Sequence, residues 1–319
     1  MRFTQVAVLS LAAMAGIGGT RAPAQEAVTA QAGVVLPDTH DLLLRSQDGQ
    51  REYRVMLAAP QAVAPGAGYP VIYVLDGNGV FGAVRDELRR EAAAGYGIAA
   101  IVVAIGYPGE APWNDQRRKY DLTPAVPGES GIDGPGGKIT GIGGADAFLD
   151  FLQAVVKPAV AARYPVDRER EALVGHSFGG LFTLHTFFTR PDAFRFYVAM
   201  SPSLWFADGH MRQEEAASLQ RFAREPDPAR LLITVGGCEQ TVGECDPAVR
   251  STPARDAWLV AHGRMVDRAR ELQQRLAGVR GDAVQLHVIE GEHHVSVIAA
   301  SLARAVRFAL TAPVNRPGS

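Results

Sequence analysis

Cysteine is almost missing from this chain: 319 residues carry two, Cys238 and Cys245. So few thiols exclude a small fold stapled by many disulfides, and no second pair or neighbouring histidine completes a tetrahedral zinc site around them. If the chain matures in an oxidising compartment, the two are expected to bridge, closing a short loop worth ~2–3 kcal/mol. Long basic runs are missing too, and 32 Lys+Arg against 34 Asp+Glu leave a net charge of −2. Without a phosphate-neutralising face, a nucleic-acid partner is not expected. The apolar run at 6–17 falls well short of the ~20 residues that a membrane-spanning helix needs.

That run follows Arg2 and precedes Ala22, Pro23 and Ala24, small residues suited to a signal peptidase. The pattern predicts a secretory signal over 1–24, and hence a secreted or periplasmic protein. Cleavage after Ala24 would take Lys+Arg from 32 to 30 against 34 Asp+Glu, a net charge of −4. The remaining 25–319 are read as one domain. An apolar content of 47% with 21% charged residues suits a globular chain, and 34 Gly with 20 Pro supply tight loops.

Apolar, β-branched runs recur at 52–59, 71–75, 98–105, 171–175, 196–200, 231–235 and 284–289, several of them continuous rather than alternating. That is the signature of strands covered on both faces. Between them, helical periodicity runs over 81–94, 145–162, 180–189, 254–277 and 297–310. The alternation predicts an α/β fold with a mostly parallel central sheet and helices on both faces, begun by an antiparallel region at 42–59. One stretch, 106–143, is rich in Gly, Pro and charge and keeps no period. It starts where a strand ends, at the edge where open α/β sheets bind ligands, so it is read as a substrate-facing loop excursion.

The chemistry centres on Gly175-His176-Ser177-Phe178-Gly179, which runs from a strand pattern into a helix pattern. In a nucleophile elbow the serine takes a strained backbone, and flanking glycines avoid collisions with the neighbouring strand and helix. A serine hydroxyl needs a base to take its proton. Because partners follow in the order Ser, acid, His in this architecture, the eligible histidines are His185, His210, His262, His287, His293 and His294. His185 falls inside a helix and His287 inside a strand; His293 and His294 stand just after a strand and before a helix. A free imidazole titrates at ~6.5, which suits both taking and returning the proton. The acid should follow the strand at 231–235, where Glu239 is nearest and Glu244 and Asp246 are alternatives. For the tetrahedral intermediate, Phe178 N–H is one expected oxyanion donor, and Gly77 or Asn78, after the strand at 71–75, the second.

With these pieces the chain resembles the putative-esterase branch of the α/β-hydrolase fold, and within it the trilactone siderophore esterases acting on ferri-enterobactin, ferri-salmochelin or ferri-bacillibactin. The resemblance is carried by residues 69–78, by 117–124, by the elbow, by Ser201-Pro202-Ser203-Leu204-Trp205, and by 291–297. In the family pattern the catalytic histidine stands two before the serine of the last motif, which selects His294. Valine, as Val295, follows it here where close relatives usually have glycine. The resemblance implies ester or lactone hydrolysis with no metal or organic cofactor and a small-molecule ester, a ferric siderophore among the candidates, as partner. Arg117, Arg118 and Lys119 could then meet an anionic ferric chelate, with Trp205 as an aromatic wall. Alternatives are acyl transfer with the same triad, or a ligand-binding protein on the hydrolase fold without turnover.

Overall fold

The computed structural model describes residues 35–97, 99–225, 227–241 and 252–311. The expected signal region lies outside them. Residues from Pro37 onward group into one compact unit. Among the described residues, no helix is long and apolar enough to cross a membrane.

Ten strands are present among the described residues: β1 (Thr39–Arg45), β2 (Glu52–Ala58), β3 (Tyr69–Leu75), β4 (Ile101–Gly106), β5 (Gly131–Gly134), β6 (Gly137–Thr140), β7 (Val166–His176), β8 (Phe196–Met200), β9 (Arg230–Gly236) and β10 (Val284–Ile289). Eight form one sheet in the order β1-β2-β4-β3-β7-β8-β9-β10, and β5 and β6 make a separate hairpin. In the eight-stranded sheet β1 and β4 run antiparallel to β2 and the other pairs are parallel; the hairpin is antiparallel. This is the mostly parallel sheet of the α/β-hydrolase fold.

The continuous apolar runs find their reason in the two covered faces. Val71, Tyr73 and Leu75 of β3 join a core with Leu173, Phe182 and Leu231, whereas Ile72 and Val74 join another with Phe196, Val306 and Phe308. Helices Gly77–Ala93 and Ser296–Leu310 cover the second face; the helical stretch 145–161 and helices Phe178–Thr189 and Met265–Arg280 cover the first. Fully burying each such large apolar side chain contributes roughly 1.5–3 kcal/mol.

Three departures from the sequence expectation have local causes. The single helix expected over 254–277 is two, because Arg264 takes a left-handed backbone with φ 41° between a π-turn at Leu259–Gly263 and the helix Met265–Arg280. A helix at Met211–Arg224 has no apolar stripe to announce it: its buried face is Met211, Glu215, Ser218 and Phe222, and Glu215 is paired with Arg275. The 106–143 excursion holds a seven-residue helix, Asp115–Asp121, capped where Asn114 Oδ1 accepts from Arg117 N at 3.1 Å, plus the β5–β6 hairpin. Elements this short leave no measurable period.

Candidate active site

The elbow is built by close backbone approach. β7 ends at His176, Ser177 turns with φ 60° and ψ −115°, and the next helix starts at Phe178. A Cβ on Gly175 would stand 2.2 Å from the Gly179 carbonyl oxygen, and one on Gly180 would stand 2.9 Å from that of Met200. The flanking requirement therefore falls on Gly175 and Gly180. Gly179, expected to share it, has no atom nearer than Leu75 Cβ at 3.5 Å. Ser177 N–H donates to the Met200 carbonyl at 3.0 Å, tying the turn to β8.

Three side chains from three strand ends converge there. His294, between β10 and helix Ser296–Leu310, brings Nε2 to 3.0 Å from Ser177 Oγ. Its Nδ1 lies 2.5 Å from Oε2 of Glu239, at the end of the short turn that follows β9. Glu239 is buried, and its Oε1 accepts from the Ser201 hydroxyl at 2.5 Å and from Gly236 N–H at 2.7 Å. A carboxylate so held fixes the imidazole orientation and favours a proton on Nδ1, leaving Nε2 free to accept from the serine. His293 lines the same cavity, but its Nδ1 accepts from Val295 and Ser296 N–H at 3.2 and 3.4 Å at the start of the last helix. Glu244, Asp246 and Cys245 lie outside the described residues. Cys238 is buried beside Glu239, and its N–H donates to the Glu292 carbonyl at 3.0 Å, joining the acid's turn to the histidine's loop.

Some residues of the site left only weak marks in the sequence. Ser201 sits at a left-handed φ of 41°, fully buried, with its N–H bonded to the Thr234 carbonyl at 2.7 Å. Ser203 is equally enclosed, its Oγ 3.4 Å from Ser177 Oγ. Both lie in the 201–205 motif, but nothing in residue type alone separates them from ordinary loop serines.

The expected oxyanion loop follows β3 directly. Gly77 is pressed on β4, where a Cβ would meet the Ala104 backbone at 2.8 Å. The Asn78 amide braces Tyr107 and Gly109, donating to their carbonyls at 3.0 and 2.9 Å and accepting from Tyr107 N–H at 2.9 Å. Neither lines the cavity around Ser177; Asp76 does, at a left-handed φ of 54°. Phe178 lines it too.

That cavity has a volume of about 770 Å³. Lys119, Lys138 and Arg255 bring positive charge to its wall from three separate segments, and Trp113 and Trp205 bring aromatic surface. Arg118 also lines it, but its guanidinium is engaged bidentately by Asp76 at 2.9 and 2.8 Å and lies against the Phe178 ring. Arg117 does not face the cavity. Its guanidinium stacks over Tyr53 and Tyr107, donates to the Glu52 carbonyl at 3.3 Å and stands 3.5 Å from Asp121. Of the two arginines, only Arg118 stands on the cavity wall. Trp205 packs edge-on against Trp258 at 5.0 Å and tilts against Phe178 at 5.9 Å, wall and packing residue at once.

The profile of the family described as "Putative esterase" matches residues 46–309. The chain is 32% identical over 281 residues to the ferri-bacillibactin esterase BesA of Bacillus subtilis, covering 86% of this chain and 90% of that protein. It is 36% identical over 286 residues to a siderophore triacetylfusarinine C esterase of Aspergillus fumigatus, covering 85% and 92%. Among solved structures, the BES protein from Bacillus cereus superposes with a TM-score of 0.75 at 30% identity, covering 89% of this chain and 100% of that one.

Proposed function

This chain belongs to the "Putative esterase" family, and from that premise we propose that Ser177, His294 and Glu239 hydrolyse the ester bonds of a siderophore lactone through an acyl-enzyme. The enzyme is a serine carboxylic-ester hydrolase. The observation that carries the residue roles is the relay from Ser177 Oγ through His294, 3.0 Å away, to Glu239 at 2.5 Å, inside a cavity of about 770 Å³. That size suits a bulky organic ligand.

In the proposed reaction, Ser177 Oγ bonds to the ester carbonyl carbon while its proton passes to His294 Nε2. The resulting oxyanion is met by Phe178 N–H and by the turn at 76–78. Collapse breaks the ester C–O bond, and His294 gives its proton to the departing alcohol oxygen. A water then attacks the acyl carbon, losing its proton to His294, and the Oγ–C bond breaks as that proton returns to Ser177. In a lactone, acid and alcohol are parts of one molecule, so the ring opens without loss of mass.

The siderophore assignment is supported by the activities of the Bacillus subtilis and Aspergillus fumigatus relatives, and by Lys119, Lys138 and Arg255, which with the Trp205 wall suit an anionic metal chelate even though Asp115 and Asp256 share the lining. Arg118, tied to Asp76, would shape that wall. We further propose export under the signal at 1–24 and a Cys238–Cys245 bridge bracing the turn that carries Glu239. A thiol count on unreduced, denatured protein tests the bridge, which two free thiols would rule out. For the function, purified enzyme is incubated with a ferric trilactone siderophore and with a short-chain nitrophenyl ester, beside Ser177→Ala. Ring opening that vanishes in Ser177→Ala is expected. Hydrolysis of the nitrophenyl ester alone would remove the siderophore assignment.

A further inference from the structure

We propose that His176, between Gly175 and the nucleophile, is a positioning residue for the base, holding the backbone of His294 rather than its side chain. Its Nε2 lies 2.6 Å from the His294 carbonyl oxygen, an atom that can only accept, so Nε2 carries the proton and donates. The two rings stand 4.6 Å apart. His294 is thereby gripped twice from elements distant in sequence: Glu239 holds the ring through Nδ1, and His176 holds the main chain. Both Ser177 and its neighbour His176 belong to the rigid elbow, so one short segment carries the nucleophile and sets the place of the base that serves it.

Chemistry explains why the anchor should be this imidazole. The charged and titratable groups that act on it are His294 and Arg118, both able to carry positive charge. Burial, and after it the His294 ring, push His176 well below the ordinary imidazole range. It therefore stays neutral while His294 gains and loses its proton, and it adds no second cation beside the transient imidazolium. A lysine or arginine donor at this place would oppose that charge.

The inference rests on the reading of Ser177 and His294 as nucleophile and base. Two variants test it: His176→Leu, which fills the space without a donor, and His176→Gln, whose amide nitrogen can reach the position of Nε2. Ester hydrolysis and the rate of phosphonylation by a fluorophosphonate are measured beside wild type and Ser177→Ala. We expect kcat to fall about 10²-fold in His176→Leu, as for a misplacement of about 1 Å, with KM little changed, and His176→Gln to recover most of the loss. Wild-type rates in His176→Leu, or an equal loss in both variants, would overturn the proposal. Should His176→Leu not fold, nitrogen-15 NMR of wild type gives the answer: a neutral Nε2–H ring that does not titrate between mildly acid and alkaline pH is expected, and an Nδ1–H ring or a titrating one contradicts it. A wild-type enzyme inert to ester and fluorophosphonate alike would instead bring down the hydrolase reading, while the NMR result would still report on the anchor.

Discussion

Glu239 and His294 meet at 2.5 Å across 55 positions of sequence, and Glu239 reaches that contact with its other oxygen already bonded to Ser201 and to the Gly236 amide. The acid is thus oriented from both ends before any substrate arrives. Glu239→Gln should leave the fold intact and lower kcat on the order of 10³–10⁴-fold, the scale of an acid-to-amide change that leaves the imidazole in the wrong tautomer. Steady-state kinetics on a nitrophenyl ester checks this; a near-normal rate would mean that Ser177 and His294 act as a dyad.

Ser201 offers a graded version of the same test. A hydrogen bond to a charged partner is worth ~1.5–3 kcal/mol, so Ser201→Ala should lower kcat by roughly 10–100-fold if all of it bears on the transition state. KM should barely move. Wild-type kinetics in Ser201→Ala would show that the Gly236 amide alone holds Glu239.

The elbow glycines should separate by space. Gly175→Ala forces a Cβ to 2.2 Å from a backbone oxygen and should yield insoluble protein or a steeply lowered Tm. Gly179→Ala meets nothing closer than 3.5 Å and should fold at a Tm near that of wild type. Thermal melts of the two variants decide it.

His185, inside the helix after the elbow, tests a charge buried away from the chemistry. Burial opposes its protonation, but Glu214 at 2.9 Å and Asp146 at 3.3 Å prevail and raise it above its ordinary 6.5. A raised folded-state pKa contributes stability that is fully present below the unfolded value, ~6.5, and is lost as pH rises through the folded value. Urea unfolding of wild type and His185→Gln should therefore show the greatest advantage for wild type in mildly acid solution, shrinking toward alkaline pH. A gap that stays constant or widens as pH rises would contradict this.

The parallel sheet could be read from the sequence because strands such as β3 and β8 are buried on both faces and so carry unbroken apolar runs. The elbow could be read in part because Gly175 and Gly180 are forced by backbone contact, although Gly179 is not. The helix Met211–Arg224 could not, since half of its buried face is polar and satisfied by pairing. Nor could the opposed directions of Arg117 and Arg118, which depend on which helix face meets the cavity. Ser201 and His176 were hidden for a different reason: their hydrogen bonds, to Glu239 and to the His294 carbonyl, join segments that only the fold brings together.

Covalent catalysis at Ser177 is tested most directly by quenching the reaction with a short-chain nitrophenyl ester within its first turnover and mapping the added mass by peptide analysis. One acyl group on the peptide carrying Ser177, formed as fast as the first nitrophenol is released and missing from Ser177→Ala, is the predicted result. Hydrolysis at an undiminished rate in Ser177→Ala, or an acyl group on another residue that turns over at the catalytic rate, would contradict it.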